Sequence, residues 1–339
     1  MTQARRRRGT VPVVLVLAAL AIAASAAAVA HARARATSDG VVLVTTRLGY
    51  QGAAAAGTGM VLTPSGRVMT NNHVIAGATN ISVNVPGTRR TYTARVVGYD
   101  VADDVALLQL RGASNLTTVT RGTASSVAVG DAVTALGNAG GAGTLSSAKG
   151  KVIGLGRSIT AGDGNGRSER LTGLIETDAH VQPGDSGGPL LDAGSRVVGM
   201  VTAASGESFR FRGPGVSSAF AIPVGKAYGI AQRIAAGRSS AVIHVGPTAF
   251  LGVQVTSVND SSTAGALIAA VVRGGPADSA GIEAGDVITA VAGRRIDAPS
   301  SVSTALLTKK PGMRIAVVYL DDTQQRHKAT VTLGSGPPQ

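Results

Sequence analysis

Cysteine and tryptophan are absent from the 339 residues, and four phenylalanines and five tyrosines are all the aromatic side chains there are. Without cysteine the chain has no thiol nucleophile, no thiolate zinc site and no disulfide framework. An exported form must then be held by its core alone, so the missing cysteines do not argue for the cytosol. The scarcity of aromatics leaves few platforms on which bases could stack. Acidic residues are also few, 19 against 32 Lys and Arg, for a formal net charge of +13. The first 36 residues hold six arginines and no acid, which leaves +7 for the rest. Those remaining charges are scattered, Arg89-Arg90 and Lys309-Lys310 being the densest pairs, so no nucleic-acid partner is expected. What is plentiful is glycine, at 46 residues, in a chain that is 44% hydrophobic. That composition suits short strands joined by tight turns, and the length exceeds one ordinary domain.

Arg5 to Arg8 precede a Val/Leu/Ala run from Val11 to about Ala30, followed by small-residue triplets such as Ala28-Val29-Ala30 and Ala32-Arg33-Ala34. A basic segment, an apolar segment and an A-x-A site in that order form a secretory signal. The run also approaches the roughly 20 residues that span a bilayer. Residues 1–36 are therefore read as a signal peptide or a membrane anchor. Either form places the remainder outside the cytoplasm, whether secreted, associated with the cell wall or anchored.

From Val41 to Pro223 the pattern is one of short strands, among them Val41 to Thr46, Tyr92 to Tyr99, Val105 to Leu110, Ser146 to Leu155 and Arg196 to Thr202. Turn signals such as Pro64-Ser65-Gly66 and Asp192-Ala193-Gly194 separate them. Many short strands at near-regular spacing predict a sandwich or barrel. Val224 to Ala236 reads as a helix ended by Gly237. A Ser/Gly-rich linker, residues 238–247, then leads into a small α+β module over 248–335, with short helices expected at Pro276 to Ala280 and Ser300 to Leu307.

The segment Gly184-Asp185-Ser186-Gly187-Gly188-Pro189 points to chemistry. A serine hydroxyl is a weak nucleophile that needs a base, an orienting acid and donors for the oxyanion. Flanking glycines let the backbone turn sharply, so that the N–H groups of Gly184 and Ser186 can face one pocket. Elimination selects the base. His31 lies in the export segment, His244 in the linker, His327 in a charged hairpin, and His180 too close to Ser186. His73, in Thr70-Asn71-Asn72-His73-Val74-Ile75, remains. The acid should abut a buried strand, and Asp104, before Val105-Ala106-Leu107-Leu108, does so. Asp100 and Asp103 are read as solvated turn residues. Gly184-x-Ser186-x-Gly188 also fits the α/β-hydrolase elbow, but that fold needs a helix after the serine and a histidine later in the chain. The order His73, Asp104, Ser186 is that of the chymotrypsin-like double barrel.

These motifs, with Phe220-Ala221-Ile222-Pro223, resemble the HtrA/Deg family of trypsin-like serine proteases with a C-terminal PDZ domain, and its exported actinobacterial members most of all. The resemblance implies a mainly β fold, a chymotrypsin-like double β-barrel over residues 37–237 followed by a small α+β PDZ domain. It places His180 where the fold lines the base of the primary specificity pocket. The family usually has alanine there, and His180 either alters a small-aliphatic preference or points away. Phe250-Leu251-Gly252-Val253 resembles the PDZ carboxylate-binding loop, so the backbone at Leu251, Gly252 and Val253 is expected to hold a peptide's terminal carboxylate. Apolar residues of the second short helix, Val302 and Leu306 among them, would take its last side chain. A homotrimer is also implied, though the segment Thr37 to Tyr50 that might support it contains a single aromatic.

The expectation is an exported endopeptidase acting on unfolded or peptide-like proteins through His73, Asp104 and Ser186, with peptide C-termini captured by the PDZ groove. No metal or cofactor is called for. The alternative is a peptide-binding, chaperone-like scaffold with a latent protease site.

Overall fold

The structure, a computed structural model, describes residues 38–123, 127–162, 168–204, 218–258 and 264–339. Residues 1–36, read above as a signal peptide or anchor, lie outside them, His31 included. The chain divides into Met1–Asp39 and a compact body, Gly40–Gln339, which is described below. No helix among the described residues is long and apolar enough to cross a membrane.

Six strands open the body: β1 (Val41–Leu48), β2 (Ala53–Val61), β3 (Arg67–Thr70), β4 (Asn80–Val85), β5 (Arg90–Asp100) and β6 (Val105–Leu110). They pair in the order β5-β4-β1-β2-β3-β6, and β5 pairs again with β6, which closes the sheet into a barrel. Between β3 and β4 sits α1 (Asn72–Ile75), a single helical turn. A second closed barrel follows, built from β7 (Ala132–Gly137), β8 (Ser146–Gly162), β9 (Ser168–Thr177), β10 (Pro189–Leu191), β11 (Val197–Ala204) and β12 (Ala219–Pro223).

The two-residue alternation of a strand explains how these sequences serve two cores at once. In β6, Ala106, Leu108 and Leu110 fill the first barrel, while Val105 and Leu107 point into the seam between barrels. Both faces of β6 are thus buried over Val105–Leu108, and that part of its sequence reads as an unbroken apolar run. The helix α2 (Val224–Ala235) closes the seam with Val224, Ala227, Ile230, Ala231 and Ile234, one face of a helix by spacing.

Within the stretch expected to be a linker, β13 (Ile243–Val245) pairs antiparallel with Tyr99 and its neighbours on β5 and extends the first-barrel sheet. Beyond it, β14 (Thr248–Phe250), β15 (Val253–Ser257), β16 (Ala266–Val271), β17 (Val287–Val291), β18 (Arg294–Arg295), β19 (Arg314–Leu320), β20 (Arg326–Thr332) and β21 (Gly334–Gly336) form a small module with one helix, α3 (Pro299–Leu306). Its main sheet runs β15-β16-β17-β19-β20, which leaves β15 at an edge, and β14 pairs with β21. The helix expected at Pro276 to Ala280 is only a 3₁₀ turn at Asp278–Ala280, too short to sustain helical hydrogen bonding.

Candidate active site

The structure brings His73, Asp104 and Ser186 together from three separate connections along the barrel seam. His73 is the second residue of α1, beyond β3. Asp104 ends the turn between β5 and β6, and Ser186 lies on the loop between β9 and β10. The His73 ring Nδ1 lies 2.8 Å from Asp104 Oδ2, and the His73 main-chain N–H donates to Asp104 Oδ1 at 2.9 Å. Both carboxylate oxygens therefore hold the same residue, ring and backbone. Asp104 is buried and has φ +52, a left-handed conformation that a non-glycine residue adopts only when its surroundings over-determine it. The surroundings supply that determination. The Asn71 amide donates to the Asp104 carbonyl at 2.8 Å, and the Thr202 hydroxyl donates to Asp104 Oδ2.

Thr202 also meets Ser186, whose hydroxyl lies 3.5 Å from the Thr202 carbonyl oxygen. On the other side, Gly57 is wedged between Val74 and the Ser186 carbonyl with no room for a side chain, and the Ser186 carbonyl accepts from Thr58 N at 2.8 Å. The serine loop is thus pinned against the element that bears His73.

The loop's own glycines are required by contact. Gly184 has φ +98, and a Cβ there would overlap the Asn138 carbonyl; at Gly187, φ +85, it would strike the Thr58 carbonyl and the Thr70 hydroxyl. The N–H groups of Asp185, Gly187 and Gly188 bond to Gln182, Val201 and Asp185 carbonyls, and the Thr58 hydroxyl donates to the Gly184 carbonyl at 2.7 Å. The N–H groups of Gly184 and Ser186 have no such partner among the described residues. Asp185 is buried, accepts from Gln182 N through Oδ2 at 2.9 Å, and keeps Oδ1 without a partner among the described residues. Burial pushes its carboxyl above the ordinary range.

Asp100 is not the solvated turn residue its sequence context suggested. It is 2% exposed, accepts from Asp103 N at 3.1 Å, and burial raises its pKa to about 6. The turn folds back on β13, and that covering strand buries it. Asp103 is half-exposed and ion-paired with Lys226 of α2.

His180 is exposed on the approach to the serine loop. Leu251 is buried, and Gly252 has φ +84 where the chain turns into edge strand β15; the Leu251 and Gly252 carbonyls accept from Ala277 and Val272 N–H groups. Val302 and Leu306 of α3 are buried in the same module core as Leu251. His327 pairs with Asp321 at 2.7 Å. His244, placed in the linker by the sequence, is buried and packed against Tyr99.

Two family models match the chain, a trypsin-like peptidase domain over residues 57–200 and a PDZ domain over 249–333. Among curated relatives, serine protease PepD of Mycobacterium tuberculosis is 35% identical over 307 residues, which cover 87% of this chain and 63% of that protein. A probable periplasmic serine protease do/HhoA-like of Haemophilus influenzae is 35% identical over 78% of this chain and 55% of its own length. The chain thus spans less than two thirds of these relatives. The HtrA-type protease AlgW solved with a tripeptide superposes with a TM-score of 0.51 at 29% identity, covering 90% of this chain and 98% of that one. The chain belongs to the HtrA/Deg family.

In this HtrA/Deg chain, three residues at the site escaped the sequence reading. Thr202 and Thr58 lie in barrel strands, where threonine is unremarkable because a β-branched side chain suits a strand. Only pairing across the seam reveals that Thr202 reaches Asp104 and Thr58 reaches Gly184. Asn71 left a fainter signal, a polar residue directly after β3 and before the His73 turn, and the structure buries it fully.

Proposed function

We propose that this chain is an exported serine endopeptidase that cleaves unfolded or peptide-like proteins through an acyl-enzyme. The observation that carries the reading is the meeting at Thr202, which touches the Ser186 hydroxyl and the Asp104 carboxylate while Asp104 holds the His73 ring. With Nδ1 turned to Asp104, Nε2 is the ring nitrogen assigned to the serine proton. As Ser186 Oγ adds to the scissile carbonyl, its proton passes to His73 Nε2 and negative charge gathers on the carbonyl oxygen. The Gly184 and Ser186 N–H groups are the donors that would hold that oxygen. Cleavage of the C–N bond returns the proton to the departing amine. Water, deprotonated by the same nitrogen, then adds to the acyl carbon, and that proton passes to Ser186 Oγ as its bond to the acyl group breaks.

The relatives named as serine proteases, and AlgW solved with a tripeptide and a decapeptide, support a peptide substrate. The periplasmic naming of relatives and the basic-then-apolar order of residues 1–36 support export. In the PDZ module, the Leu251-Gly252-Val253 backbone is assigned to a peptide's terminal carboxylate, with the peptide strand adding to the free edge of β15. His180 is assigned to the primary specificity pocket by its place before Ser186. The same proposal includes a homotrimer, although Tyr50, the single aromatic noted before β2, stacks within its own chain on Phe250 at 5.3 Å.

The deciding comparison is native protein against Ser186→Ala on an unfolded protein substrate. Loss of the nucleophile should lower turnover by about a million-fold. Equal, background-level cleavage by both would instead favour the scaffold with a latent site.

A further inference from the structure

The turn that carries His73 is held from two sides. Asn71 ties it to Asp104, as described above. Asn72, the next residue, faces the other way. It is buried, and its amide donates at 3.0 Å to the main-chain carbonyl of Gln339, beyond the last strand of the PDZ module. At the far end of α1, Gly77 N donates to the Pro338 carbonyl at 2.8 Å, and Pro338 is itself buried. Both ends of this helical turn therefore rest on residues 337–339. Those residues are anchored in turn, since the Gln339 amide donates to the Ala249 carbonyl on β14 at 3.3 Å, and the preceding strand β21 pairs with β14.

We infer that Asn72 is a positioning residue, through which the segment following the PDZ sheet holds His73 in register with Asp104. The inference rests on the triad reading above and concerns residues outside the triad. The physical argument is that α1 is a single turn, too short to hold its own shape by helical hydrogen bonds. Its Ala76 N–H bonds to the Asn72 carbonyl, so a shift of Asn72 moves the whole turn and the imidazole with it. The Asn72 Oδ1 is buried without a partner among the described residues, so the donor side of the amide is what this site uses.

Three variants test it: Asn72→Ala, Asn72→Asp, which keeps the shape and loses the donor, and deletion of residues 337–339. The first readout is the rate at which a fluorophosphonate labels Ser186, with its pH dependence. The second is the Nδ1–H proton resonance of His73 in Ser186→Ala protein, which reports the His73–Asp104 bond without turnover. Thermal unfolding is followed alongside. Each variant is expected to slow labelling roughly ten- to a hundredfold, to displace the acidic limb of the pH profile and to shift or broaden the resonance. Asn72→Asp combined with the deletion should be no worse than the deletion alone, because the deletion already removes the Asn72–Gln339 contact together with Gly77–Pro338. A native-like rate and resonance in Asn72→Asp would overturn the inference, as would additive losses, or lowered thermal stability with labelling and resonance unmoved. Native protein that takes no label at Ser186 while the resonance still responds would count against the endopeptidase reading and leave Asn72 in its role.

Discussion

Asp104 gathers more constraints than any other side chain of the site: the His73 ring and main chain, the Thr202 hydroxyl, and the Asn71 amide at its carbonyl. Asp104→Asn should keep the fold and lower kcat by about 10⁴ by favouring the wrong imidazole tautomer, as a steady-state assay on a peptide substrate would show. Thr202→Val loses only one hydrogen bond to a charged group, about 1.5–3 kcal/mol, so kcat/KM should fall about ten- to a hundredfold. Asp100 gives a separate signature in stability. Its folded pKa of about 6 exceeds the ordinary 3.8 because burial disfavours the charge. Between those values the unfolded chain has released the proton and the folded chain retains it, so stability falls as pH rises through that window. Below it the group is neutral in both states and costs nothing. Urea unfolding of native protein and Asp100→Asn should therefore give similar midpoints near pH 4 and a more stable variant by pH 7. Parallel curves across this range would refute the assignment.

At the scale of elements, the serine loop is shaped by what its backbone approaches. Gly184→Ala would force a Cβ against the Asn138 carbonyl at a positive φ, so it should destabilise the protein by more than about 1 kcal/mol and abolish Ser186 labelling. The same change at Gly156, also at positive φ but with nothing near the added Cβ, is a control for φ alone and should leave labelling intact. The helices obey simpler rules. Proline at the first position and buried residues at Val302, Ala305 and Leu306 specify α3, and a buried stripe of the same spacing specifies α2. Strand β13 is different. Ile243-His244-Val245 is too short to carry an alternation signal, and its partner β5 lies far away in sequence, so it read as linker.

At the scale of the whole molecule, His244 is one of the residues that join the barrels to the PDZ module. Its Nδ1 faces the Leu307 carbonyl at the end of α3 at 2.8 Å, and its Nε2 faces the Gly246 and Pro247 carbonyls at 3.1 Å. Its ring stacks on Tyr99 with centroids 5.0 Å apart, and Leu307 itself lies in the first-barrel core. His244→Ala should strand the buried Leu307 carbonyl at about 1–3 kcal/mol and expose the chain near residues 238–247 to limited proteolysis. Unchanged cleavage by an added protease would argue that the module is held by other contacts.

The strand pattern, the helices beginning at Val224 and Pro299 and the order His73, Asp104, Ser186 were legible in the sequence, because each depends on short-range periodicity, turn chemistry or chain order. Tertiary structure alone decided that Asp100 is buried, that His244 is a structural contact, that Thr202 spans Ser186 and Asp104, and that residues 337–339 support the turn of His73. Each of these is a pairing between residues distant in sequence. No local pattern encodes such a pairing, since it exists only once the barrels have closed and the PDZ module has folded against them.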